Sequence, residues 1–128
     1  MATVTAKLTL TSADLLSQNL NLSLSKSITA AHTTGLARAP ITSTAIGTAS
    51  GQVTLYTADD YAATAYIYIK NTDTTATNYI YVYTAANNWL KLAGGEFAFL
   101  PSIADDTLKA YAAVSGSIVE WMVFGTDQ

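Results

Sequence analysis

Two runs of strict alternation, Tyr66-Ile67-Tyr68-Ile69-Lys70 and Asn78-Tyr79-Ile80-Tyr81-Val82-Tyr83, constrain the fold of this chain more than anything else in it. Successive side chains of a β-strand point to opposite faces. Ile67, Ile69, Ile80 and Val82 therefore occupy one face of the pair, and Tyr66, Tyr68, Tyr79, Tyr81 and Tyr83 the other. With a threonine-rich turn between them, the two runs read as a hairpin. An ordinary half-buried hairpin turns charged or small polar residues to water. Tyrosine is large, amphipathic and enriched where proteins meet. The pattern predicts a β-pair covered on both sides, and so a protein that assembles.

The rest of the chain repeats the short period. Lys7 to Thr11 alternates, and Ser12-Ala13-Asp14-Leu15-Leu16 offers one helical turn with Ser12 as its N-cap before Leu20, Leu22 and Leu24 resume period two. Residues 29–39 are small and without period, which reads as a loop or extended arm, and Pro40 to Thr48 is a weak strand. From Gly51 the pattern sharpens. Gln52–Thr57, 64–70, 78–84, Trp89–Leu92, Glu96–Leu100, Thr107–Ala113 and Ile118–Phe124 read as strands. Gly94-Gly95 is a hairpin-type dipeptide, and Pro101 is expected to stop its strand because it has no N–H for a ladder. Many short strands at near-regular spacing predict an all-β, antiparallel sandwich. Residues 51–128 are expected to form its core and residues 1–50 a less regular N-terminal segment, an arm with edge strands.

Composition narrows the function. At 128 residues the chain is long enough for one domain that buries roughly two-thirds of its unfolded surface. Only 12% of the residues are charged, against about 25% in an average soluble domain. Neutral, hydroxyl-rich outer faces suit a protein packed on its neighbours, because they avoid the cost of desolvating lysine or glutamate there. The net charge is −3, and the cations Lys7, Lys26, Arg38, Lys70, Lys91 and Lys109 are scattered singly. Nothing there neutralises a run of phosphates, so no nucleic-acid partner is expected. Neither a signal peptide nor a membrane span is expected, and synthesis in a cytoplasm follows. The chain has no cysteine and thus no thiolate metal site or disulfide framework.

No residue set points to catalysis. His32 stands alone in a weakly patterned stretch, which makes it an ordinary loop residue. Asp59-Asp60 and Asp105-Asp106 lie at strand ends, where aspartate closes turns and caps through local hydrogen bonds. A hydrolase would need the two pairs in one cleft, and calcium would need several converging oxygens. Trp121 alternates with Val119 and Val123 and belongs to the core, whereas Trp89 follows Asn87-Asn88 and is the better exposed aromatic. An exposed Trp89 would also suit a sugar-stacking platform. No enzyme, cofactor or metal is expected, and the expected interface residues are Tyr66, Tyr68, Tyr79, Tyr81, Tyr83 and Trp89.

Tyr66-Ile67-Tyr68-Ile69-Lys70-Asn71-Thr72-Asp73, Asn78-Tyr79-Ile80-Tyr81-Val82, Leu92-Ala93-Gly94-Gly95-Glu96-Phe97-Ala98-Phe99-Leu100-Pro101 and Gly116-Ser117-Ile118-Val119-Glu120-Trp121-Met122-Val123-Phe124-Gly125 occur in an order that resembles small virion structural proteins of tailed phages. These are β-sandwich capsid decoration (cement) and fibre-associated proteins. The resemblance covers roughly residues 51–128 and implies a jelly-roll-like fold, usually trimeric, without catalytic residues. It also implies a major capsid protein as partner and the virion as location. A tail-fibre or secreted module that binds carbohydrate or a receptor is the alternative.

Overall fold

The computed structural model describes residues 2–47, 50–61, 64–85, 87–103 and 106–126, which are all-β without a helix. Its strands are β1 (Ala2–Ser12), β2 (Leu20–Ala30), β3 (His32–Thr33), β4 (Ala37–Ile41), β5 (Val53–Tyr56), β6 (Thr64–Asn71), β7 (Ile80–Thr84), β8 (Asn87–Leu92), β9 (Phe97–Ile103), β10 (Leu108–Ala112) and β11 (Ser117–Gly125). β1 and β2 form a ribbon of their own. The others make a four-stranded sheet, β5-β10-β7-β8, and a five-stranded sheet, β3-β11-β6-β9 with β4 also on β11.

Every pairing is antiparallel, and the pairings nest. β4 lies on β11, β5 on β10, β6 on β9 and β7 on β8. That is the connectivity of one long hairpin, bent at β7–β8 and rolled until its ladder is divided between two sheets. The β6–β11 and β7–β10 pairings close the roll.

The apolar set of the alternating runs meets inside. Ile67 and Ile69 on β6, Ile80 and Val82 on β7, Val119 and Val123 on β11, Leu108 on β10 and Ile41 on β4 are all fully buried in one cluster. Each such side chain contributes about 1.5–3 kcal/mol relative to exposure. Trp121 joins them and donates its indole N–H to the Leu55 carbonyl at 3.0 Å, so its one polar atom is satisfied. Strands from both sides of residue 50 enter this core, since β4 supplies Ile41.

The tyrosine hairpin does not form. β6 pairs with β9 and β11, and β7 with β8 and β10, so the two runs lie in different sheets. Residues 72–79 cross from one sheet to the other, and the buried Asn71 fixes that crossing. Its side-chain amide donates to the carbonyls of Asn78 (2.7 Å) and Leu92 (3.0 Å), and its side-chain oxygen accepts from the Asp73 N–H at 3.1 Å. Gly94-Gly95 likewise joins β8 of one sheet to β9 of the other. Gly95 has φ 85°, and a Cβ on Gly94 would lie 2.7 Å from the Thr75 carbonyl carbon, so this bend packs directly on the crossing loop.

Four further expectations are corrected. β9 runs through Pro101 to Ile103, and β4 contains Pro40, yet each of these strands pairs on one side only. An edge strand tolerates a residue without an N–H. Residues 37–41, expected as a loop and a weak strand start, are that edge strand, and His32 sits in β3 rather than in a loop. Ser12 accepts from the N–H groups of Asp14 (3.3 Å) and Leu15 (3.1 Å) as a cap would, but only bends follow it before β2.

In the ribbon, Val4 lies opposite Ile28, Ala6 opposite Lys26, Leu8 opposite Leu24 and Leu10 opposite Leu22. Paired residues of an antiparallel ladder share a face. One face is therefore aliphatic with a single lysine. The other carries Thr3, Thr5, Lys7, Thr9 and Thr11 against Thr29, Ser27, Ser25, Ser23 and Asn21. The base of the aliphatic face, Val4, Ala6, Ile28 and Ala30, packs on Phe124, Tyr66 and Met122 of the larger sheet.

Candidate interaction surfaces

Because β6 and β7 belong to different sheets, the expected tyrosine face is two faces. Tyr66 and Tyr68 project from the outside of the larger sheet, and Tyr79 and Tyr81 from the outside of the smaller one. Tyr83 lies with the second set, its ring meeting Tyr111 edge-on at 5.6 Å. The ladder shifts register between Val82 and Tyr83, a bulge whose extra residue is Trp89 on β8, and Tyr83 is nonetheless buried. Its hydroxyl lies near the Gly47 backbone but reaches hydrogen-bond geometry with none of the described residues, and burial raises its pKa.

The outer face of the larger sheet combines an aromatic stack with a polar cluster. Tyr66 stacks on Phe124 (5.8 Å between ring centroids) and Phe99 (6.3 Å), and Phe99 stacks on Phe124 (6.0 Å). One step along, the Tyr68 hydroxyl donates to Glu120 Oε1 at 2.7 Å, and the Arg38 guanidinium donates to Glu120 Oε2. Arg38 and Lys70 lie directly opposite Glu120 on its two neighbouring strands. The Tyr68 and Arg38 hydrogen bonds hold the Glu120 carboxyl below the usual range, while burial and then the Glu120 carboxylate push the Tyr68 hydroxyl up to about 12. Above this cluster the ribbon leans over the sheet. Leu8 and Leu24 on one side and Phe97 and Phe99 on the other line a groove of 610 Å³. Phe97 is 69% exposed, and neither Leu8 nor Leu24 is covered.

The outer face of the smaller sheet bears a tyrosine ladder. Tyr81 stacks on Tyr111 at 4.9 Å, Tyr79 lies 6.4 Å from Tyr81, and the Lys91 ammonium sits 3.9 Å above the Tyr79 ring. Asn88 donates to the Tyr111 hydroxyl at 2.9 Å. Tyr111 was not among the expected residues, because Leu108-Lys109-Ala110-Tyr111-Ala112 has a single tyrosine and only the β7–β10 register places it beside Tyr81. Trp89 is 37% exposed, as its position after two asparagines suggested. It lines a separate groove of 460 Å³ with Thr84, Leu100, Pro101, Ser102 and Asp106.

The polar residues weighed for catalysis take local partners. Asp60 accepts from the Thr57 N–H (3.0 Å) and hydroxyl (2.6 Å), which lowers its pKa. Asp59 adopts φ 69°, and the Ala58 N–H donates to the Thr107 hydroxyl at 2.8 Å, which brings this turn beside the one holding Asp106. Asp105 lies outside the described residues. His32 meets Tyr61 edge-on at 5.2 Å. Among the described residues no group of three or more histidines or carboxylates is placed to hold a metal ion. No family model matches this sequence, and no curated protein matches it either.

Proposed function

We propose that this chain is a structural subunit of a large assembly, specifically a capsid decoration (cement) protein of a tailed phage that acts as a homo-oligomer on the major capsid protein. The observation behind this reading is a β-sandwich that holds out a two-stranded ribbon with a largely uncovered leucine face. Exposed apolar surface of this extent marks interaction sites. The nested antiparallel pairing supports a jelly-roll-like reading of the sandwich, the fold that the resemblance implies. A β-sandwich buries its inner faces and leaves two outer faces, here the aromatic stack and the tyrosine ladder, for neighbours.

Such a protein works by linkage. Bound across seams of the closed shell and absent from its separated subunits, it stabilises the shell by RT ln(1 + [L]/Kd) per site, about 2.7 kcal/mol at a hundredfold excess over Kd. Purified particles from the phage that encodes the chain are expected to contain it in fixed stoichiometry, measured by quantitative mass spectrometry. Particles made without it are expected to rupture at lower temperature. Absence of the chain from purified particles would overturn the reading.

Trp89 favours a second reading, a fibre or secreted module that binds carbohydrate. Its exposed ring, with Asp106 and Thr84 in the same groove, offers one stacking face and polar groups beside it. Of the two tryptophans Trp121 is buried, so sugar binding there is expected to alter the fluorescence of Trp89 alone. An unchanged spectrum across a glycan panel would remove this reading.

A further inference from the structure

The ribbon is longer than the surface it rests on. Its base is covered by Phe124, Tyr66 and Met122, but Leu8, Leu10, Leu22 and Leu24 continue the same aliphatic face and remain 38–56% exposed. At the tip, Leu15 and Leu16 are exposed as well. A two-stranded hairpin without a third strand or a packed face is marginal in water. The outer half of this one has neither within its own chain. Across the groove the same chain leaves a second apolar surface uncovered, Phe97 and Phe99 on the edge strand β9.

The two surfaces match in kind, both being apolar and open. At about 150 Å² for a fully exposed large side chain, the uncovered fractions of Leu8, Leu10, Leu22, Leu24, Phe97, Phe99 and the two tip leucines come to roughly 600 Å² per copy. One ridge and one groove meet in each contact, so this is the apolar surface of a whole contact, close to the apolar share of the roughly 1,000 Å² that a specific interface must clear. The aliphatic ribbon face carries one charge, Lys26, whose long apolar stem can lie along the groove while its ammonium stays in water. Ridge and groove are supplied by every copy in equal number, so a second copy of this chain is the occupant that satisfies both at once.

We propose that the outer leucine face of the β1–β2 ribbon of one copy docks in the groove between ribbon and β9 of a second copy. The contact is arm into groove, hence heterologous, and it is saturated only when the copies close into a ring. This deepens the assembly reading and rests on it. Its test uses purified protein alone, so it can fail while the chain is still found on particles.

The native mass of the wild type in solution is expected to be an integer multiple, at least two, of 13.5 kDa. Leu10→Ser with Leu22→Ser on the ridge, and separately Phe97→Ser with Phe99→Ser in the groove, are each expected to reduce it to 13.5 kDa, with the β-sheet circular dichroism and cooperative unfolding kept. Because the chain has no cysteine, introduced thiols are unique. Leu24→Cys protein mixed with differently tagged Phe97→Cys protein is expected to give a crosslinked heterodimer with a short bismaleimide. This second measurement holds if a serine variant fails to fold. A wild-type monomer at every concentration, an oligomer that survives both pairs of serine substitutions, or no crosslink between folded cysteine variants would each overturn the proposal.

Discussion

At Asn71, one side chain satisfies three backbone groups that its burial removes from water: the Asn78 and Leu92 carbonyls and the Asp73 N–H. An unsatisfied buried polar group costs about 1–3 kcal/mol. Asn71→Leu, close in size but without hydrogen-bonding atoms, is expected to destabilise the fold by roughly 2–4 kcal/mol in urea unfolding. A loss below about 0.5 kcal/mol, the scatter of ordinary surface substitutions, would mean that the crossing loop does not depend on this residue. Glu120 makes a different prediction. Its folded pKa is depressed, so the stability it contributes is present above its ordinary value of 4.5 and is lost as pH falls through the folded value. Glu120→Gln is expected to flatten that acid limb, read from urea midpoints across the acid range. At this scale the inward set was legible: Ile67, Ile69, Ile80 and Val82 follow from period two alone. The burial of Tyr83 was not, because its cover comes from Tyr111 and from the backbone at Gly47, both remote in sequence.

At the scale of elements, alternation tells which side chains go in but not which strand lies alongside. The threonine-rich stretch after Asn71 looks like a hairpin turn, and only the contacts of Asn71 with Asn78 and Leu92 reveal that it spans two sheets. The prolines misled for a related reason. Pro101 ends a central strand but is harmless on an edge, and edge position is set by topology. The ribbon was half legible: Leu20, Leu22 and Leu24 have the period, while Ala2, Val4 and Ala6 are too small to stand out until paired with Ala30, Ile28 and Lys26. None of the ribbon residues belongs to the main core cluster. Removal of residues 1–31 is therefore expected to leave a folded sandwich with cooperative thermal unfolding. The same truncation is expected to increase binding of a hydrophobic dye, because Phe124 loses its cover of Ile28 and Ala30. Loss of cooperative unfolding would show instead that ribbon and sandwich form a single unit.

For the whole molecule, the titrating groups define a stability window. Asp60, Asp73 and Glu120 are all depressed by hydrogen bonds to their carboxylates, and each contributes stability that is lost as pH falls below the ordinary values of 3.8 and 4.5. Tyr61 and Tyr68 are both raised from 10.0 to about 12, chiefly by burial. Their contribution is complete below 10 and is lost as pH rises toward 12, because the unfolded chain ionises first. The urea midpoint is expected to stay nearly level between pH 4.5 and 10 and to fall on both sides. A steady slope through neutrality would mean that other groups govern stability. The sandwich class was legible because turn signals and short period recur along the whole chain. The surfaces were legible only in type: aromatic residues were expected outside, but their division over two faces follows from the roll.

The nested pairings also order the events of folding. β7 and β8 are close neighbours in sequence and close a short loop, whereas β4 must wait for β11, about eighty residues later, and the entropic cost of closure grows with that separation. β11 is paired with β3, β4 and β6 and also supplies Phe124 to the seat of the ribbon. On a ribosome, the ribbon emerges well before its seat. Until β11 is in place the leucine face has nowhere to rest, so the interval of synthesis between residues 30 and 125 is when nascent chains are most exposed to premature association.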